Sequence, residues 1–196
     1  MFEELLEQFD AADNAAKKVN VIKRWTQEQR KAFFMGLTSK QKISVMDSLG
    51  DKGKVLLYNA VDVSERKRFL ELLTESAKNE FIDDIRSQAV KDFWAEEKIL
   101  IKQGKGTYNW TIDEQKLILK GKTPYTDLGE VYEGQHMYSA ATYPEFAGIS
   151  DNIQFLTYDD HRKGAHNGNT RLNQTQGYYD ESDINIYKLS KSIHNI

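Results

Sequence analysis

No proline falls in the first hundred residues, and glycine appears there only at Gly36, Gly50 and Gly53. A stretch of that length, rich in Leu, Lys and Glu and nearly free of breakers, points to helices. The second half reverses the pattern. Both prolines, nine of the twelve glycines, nine of the ten tyrosines and all four histidines follow residue 100, a usage that implies turns and short strands. Lys102-Gln-Gly-Lys-Gly-Thr107 reads as the joint. The expected fold class is therefore α+β, with a helical segment over residues 1–103 and a smaller mixed domain over residues 104–196.

In the first half, Phe2, Leu5, Leu6, Phe9, Ala12, Ala16 and Val19 recur at three- and four-residue steps, the stripe of a first helix. Thr26 with Gln29 and Thr38 with Gln41 have capping-box spacing and predict two short helices, with Gly36 and Gly50 as ends. Another short helix is expected over Val55 to Val61. Phe69, Leu73, Ala77, Phe81, Ile85, Ala89, Phe93 and Trp94 keep a near-fourfold spacing, so one long or once-bent helix is predicted from Ser64 to Leu100. Its mixed charges read as a solvated face, and no chemistry is expected in residues 1–100.

The second half opens with a capping box at Thr111 and Glu114, followed by a helix that Gly121 ends and Pro124 keeps from resuming. Glu130-Val-Tyr-Glu-Gly-Gln-His136 and Asn152-Ile-Gln-Phe-Leu-Thr157 read as two strands. Thr157 with Asp160 three residues on is a helix start that places His161 in the first turn.

Composition excludes several classes. Without cysteine there is no disulfide framework, zinc ribbon or thiol nucleophile. Met-Phe-Glu-Glu-Leu-Leu-Glu at the amino terminus has neither the basic flank nor the apolar run of a signal peptide or membrane span, so a soluble chain is expected. A net charge of −3 gives no global footprint for nucleic acid, so any affinity for phosphate has to be local.

Three of the four histidines lie between Glu133 and Arg171. Phosphodiester hydrolysis needs a base to take a proton from water, and a neutral imidazole suits that role. His136 is the candidate base, with Asn152 on the neighbouring strand as the group that holds its ring. A positive centre is also needed, which a divalent ion supplies. His161 and His166 are candidate ligands, and Arg162, Lys163 and Arg171 are candidate phosphate contacts. His161 and His166 are five apart, whereas two ligands on one helical face are typically three or four apart. Either the helix ends at Gly164 and His166 enters from the loop, or only one of the two binds metal.

Taken together, Trp110-Thr111, Glu114-Gln115, Ile118-Leu119, Gly121-Lys122, Pro124, Glu133-Gly134, His136, Tyr143-Pro144-Glu145, Asp151-Asn-Ile-Gln-Phe-Leu-Thr157, Asp160-His161 and His166 resemble the GHH-signature branch of the HNH/endonuclease VII nucleases. Members are toxin tips of bacterial polymorphic toxins of the Rhs, WapA and LXG types. The resemblance covers roughly residues 110–175. It implies a ββα-metal domain, with His136 as general base, Asn152 as positioning residue or ligand, and His161 and His166 toward the metal. It also implies a divalent cofactor (Mg, Mn, Zn or Ni), DNA ahead of RNA as substrate, and a cognate immunity protein as partner. No membrane partner is implied. The expected location is the bacterial cytoplasm when made, without a Sec signal, with delivery by a secretion system into a target cell.

The sequence departs from that pattern at Gln135, where the signature has a histidine expected to bind metal. An amide oxygen is a weaker ligand than imidazole or carboxylate. Gln135 then stands as a variant ligand, with Glu133 on the same strand face as a candidate helper, as the mark of a slow site, or as the mark of an inactive one. The alternative to an endonuclease is a non-catalytic interaction protein or an inactive nuclease variant.

Overall fold

The computed structural model describes residues 1–165, and the chain divides into two compact units, Met1–Phe81 and a second beginning at Ile82. In the first unit, α1 (Phe2–Asp10), α2 (Ala15–Arg24), α3 (Gln27–Gly36), α4 (Ser39–Asp47), α5 (Asp51–Tyr58) and α6 (Val63–Glu71) follow one another with short connections. The capping boxes at Thr26 and Thr38 both form. Gly50 caps the start of α5 rather than ending α4.

Two helical expectations need correction. The stripe from Phe2 to Val19 belongs to two helices, because the Asn14 side chain accepts from the Lys17 amide at 3.0 Å and starts α2 afresh. The run from Ser64 to Leu100 is likewise broken between α6 and α7 (Glu75–Lys102). Thr74 there takes the Ala77 amide on its hydroxyl at 3.4 Å and the Lys78 amide on its carbonyl at 2.8 Å. Hydrophobic spacing alone carries no record of such a cap.

The division between units falls inside α7 rather than at the Lys102–Thr107 joint. The second unit therefore holds most of α7, together with α8 (Ile112–Leu119), strands β1 (Glu133–His136) and β2 (Ile153–Leu156), and a π-helical turn over Asp160–Ala165. Helices and a two-stranded sheet make the class α+β.

β1 and β2 are antiparallel, with Gly134 opposite Phe155 and His136 opposite Ile153. Alternation puts these four on one face, with Glu133, Gln135, Gln154 and Leu156 on the other. The first face packs on α7. Phe155 lies 4.3 Å from the Phe93 ring centroid, 4.2 Å from Trp94 and 5.0 Å from Trp110. Gly134 is needed for this approach, since a Cβ there would stand 2.9 Å from Val90 Cγ1 and 3.1 Å from Ile153 Cγ2.

A buried carboxylate ties the segment after α7 back to that helix. Glu97, fully inaccessible, accepts from the Thr107 amide at 2.8 Å, from the Thr107 hydroxyl at 2.5 Å and from Trp110 Nε1 at 2.6 Å. Three donors satisfy a charge that would otherwise be costly to bury. Among the described residues, no helix is long and apolar enough to cross a membrane.

Candidate active site

The hairpin connection, residues 137–152, contains two short 3-10 turns, Pro144–Phe146 and Ser150–Asn152, and folds back on the end of β1. Asn152 holds it. Its side chain, with no solvent exposure, accepts from the Tyr138 amide at 2.8 Å and donates to the Tyr138 carbonyl at 2.9 Å and the Phe146 carbonyl at 3.2 Å. Ser150 adds a bond to Glu96 on α7 at 2.9 Å.

The clamped connection presents the Ala147 carbonyl to His136, whose Nε2 lies 2.9 Å from that oxygen. A carbonyl only accepts, so Nε2 carries the ring proton and donates. Nδ1 is then the basic nitrogen of the neutral ring. Burial pushes the His136 pKa down to about 4; the Ala147 bond opposes the shift, while the charges of Arg86 and His161 add to it. His136 is therefore neutral at pH 7, the state a proton acceptor requires.

This geometry corrects the role given to Asn152. Its amide does not hold the His136 ring; it holds the loop whose next carbonyl does. The sequence carries no side-chain signal for Ala147, because the group that matters there is backbone.

β2 leads into the π-helical turn through Thr157, whose hydroxyl accepts from the Asp160 amide at 3.2 Å and donates to its carboxylate at 2.8 Å. The turn brings His161 to β1, where Nδ1 lies 2.5 Å from Glu133 Oε2. Arg162 follows, with Nε 3.8 Å from the same carboxylate oxygen and its guanidinium over the Tyr158 ring at 5.6 Å. Gln135, on the same strand face as Glu133, is 6 % exposed and donates its amide to the His136 carbonyl at 3.0 Å. Lys163 lies in the π-helical turn. His166 and Arg171 lie outside the described residues.

Among the described residues, no three His, Cys, Asp or Glu side chains form a group able to hold a metal. Two donors do meet, at Glu133 and His161. A carboxylate and an imidazole, with no third donor grouped with them among the described residues, fit a divalent ion that keeps several waters, the habit of magnesium and related hard ions.

Arg86 was not visible in the sequence as a site residue, being one of many charges on a long helix. Val90, one turn along α7, meets Gly134, and the Arg86 charge reaches His136. Its guanidinium is half exposed and pairs with Asp83 at 3.2 Å.

Comparison with known proteins agrees with the resemblance carried by the second half. Residues 64–157 match the family described as GHH signature containing HNH/Endo VII superfamily nuclease toxin. The matched stretch begins in α6, includes the hairpin and ends at Thr157, before His161. A segment of Teneurin-3 from Danio rerio is 32% identical over 84 residues, 42% of this chain. The chain spans 3% of that protein's length.

Proposed function

We propose, from the match of residues 64–157 to a nuclease-toxin family, that this chain is a metal-dependent endonuclease whose general base is His136. The observation that carries the reading is the His136–Ala147 bond, which leaves a neutral imidazole with Nδ1 as its basic nitrogen on the last residue of β1. In the proposed reaction Nδ1 takes a proton from water as its oxygen attacks phosphorus. The bond from phosphorus to the leaving ester oxygen breaks and that oxygen takes a proton from solvent water, giving a phosphomonoester and a free hydroxyl. The imidazolium later returns its proton to solvent.

The remaining residues support this step by position. Asn152 fixes the connection that supplies the Ala147 carbonyl, so it orients the base at one remove. Arg86, whose charge reaches the base, and Arg162, beside Glu133, are the proposed contacts to the phosphate backbone. A divalent ion held by His161 and the carboxylate beside it would neutralise charge on the scissile phosphate and the leaving oxygen.

DNA is the proposed substrate, and the proposed setting is a bacterial toxin delivered into a competing cell and neutralised by an immunity protein. The family description, nuclease toxin, supports a nucleic-acid substrate and a toxic role. The second reading, a binding protein without catalysis, draws on Gln135 and on the lack of a three-donor metal group among the described residues. Incubating the purified chain with plasmid DNA and with folded RNA, in Mg, Mn, Zn or Ni and in chelator, separates the two. Cutting that a chelator stops is expected; no cutting of either polymer with any ion favours the binding protein.

A further inference from the structure

Glu133 and Gln135 share one face of β1, so that face offers two side chains to whatever binds beside His161. Their situations differ. Gln135 is buried, stands opposite Gln154 across the hairpin, and has its amide nitrogen on the His136 carbonyl. Glu133 is 31 % exposed and already has an oxygen against His161 Nδ1 at 2.5 Å. The chemistry differs too, since a carboxylate is an anionic hard donor and an amide a neutral one.

We infer that Glu133, not Gln135, is the strand ligand of a divalent-cation site whose second protein ligand is His161. The inference rests on the nuclease reading for the ion's role and on the Glu133–His161 contact for its place. Two elements, β1 and the turn after β2, supply one donor each. An ion seated there would be held by the Glu133 carboxylate and the His161 imidazole, with water or substrate oxygen left to fill the rest of its shell, as suits magnesium and manganese. The histidine missing from position 135 is replaced by a carboxylate two residues earlier on the same face.

Binding of Mn to the full chain, measured calorimetrically without nucleic acid, tests this. Glu133→Gln keeps the shape of the side chain and removes its charge; it is expected to weaken Mn binding about tenfold or more, and His161→Ala similarly. Gln135→Ala is expected to change the affinity by less than about threefold. Glu133→Asp, which restores a shortened carboxylate, is expected to fall between the wild type and Glu133→Gln. Melting in chelator identifies any variant that loses its fold, and the remaining variants then carry the comparison. Loss of Mn binding in Gln135→Ala with retention in Glu133→Gln overturns the assignment, as does a wild-type chain that binds no Mn. The cleavage assay is read separately. Mn bound through Glu133 without cutting defeats the nuclease reading alone, and cutting with Mn affinity unchanged in Glu133→Gln defeats this inference alone.

Discussion

The carbonyl oxygen of Ala147 lies 2.9 Å from His136 Nε2, so a backbone group fixes the tautomer of the one buried histidine among the described residues. Burial keeps the ring neutral even though that bond favours the protonated form, with a pKa pushed down to about 4.

A stability change with pH follows. Because the folded-state value lies below the unfolded value near 6.5, the unfolded chain binds the additional proton between the two. The stability due to neutral His136 is fully present above pH 6.5 and is lost as pH falls toward 4. Denaturant titrations in chelator at pH 7 and pH 4 are expected to show the wild type losing about 3 kcal/mol more than His136→Gln. Equal losses in the two proteins would show that the ring is not buried neutral.

Asn152 gives a prediction of order. Asn152→Ala removes three bonds from a buried position and is expected to cost about 2–4 kcal/mol and to slow cleavage, although the side chain does not touch His136. Asn152→Asp keeps the acceptor for the Tyr138 amide but turns an oxygen toward the carbonyls of Tyr138 and Phe146. It is expected to be no more stable than Asn152→Ala at pH 7. Chemical denaturation of both variants checks the order, and a wild-type-like aspartate would refute the clamp.

Glu97 behaves differently under its isosteric change. Glutamine keeps an oxygen for the Thr107 amide and Trp110 Nε1 and offers the Thr107 hydroxyl a donor in place of an acceptor. Glu97→Gln is expected to cost under about 1.5 kcal/mol, and Glu97→Ala about 3 kcal/mol, as unpaired donors are left buried. Similar costs for both would mean that charge, rather than bonding, is what the site requires.

Packing of the hairpin on α7 is open to a double substitution. Gly134→Ala sets a methyl 2.9 Å from Val90 and is expected to destabilise by about 1–3 kcal/mol. Adding Val90→Ala removes the clash, so the pair is expected to be more stable than the sum of the two changes. Additivity in thermal melts would show that the contact is not where the cost arises.

What could be read from the sequence follows from how local each signal is. Capping boxes at Thr26, Thr38 and Thr111 are written in residues three apart, and all three form. The two strands and the start at Thr157 were legible for the same reason. The break between α6 and α7 was not, because an apolar stripe continues through Leu72 and Leu73 while Thr74 caps the second helix. At the site, His136 and His161 announce themselves as imidazoles. Their partners do not: Ala147 acts through its backbone, Arg86 comes from a helix distant in sequence, and the meeting of Glu133 with His161 depends on how the turn after β2 lies against β1.

Single-turnover cleavage of plasmid DNA by wild type and His136→Ala, with and without added imidazole, addresses the central claim most directly. The account predicts a loss of about 10²–10⁴-fold in the variant and partial recovery when free imidazole supplies the missing base. A His136→Ala protein that cuts at the wild-type rate would contradict it.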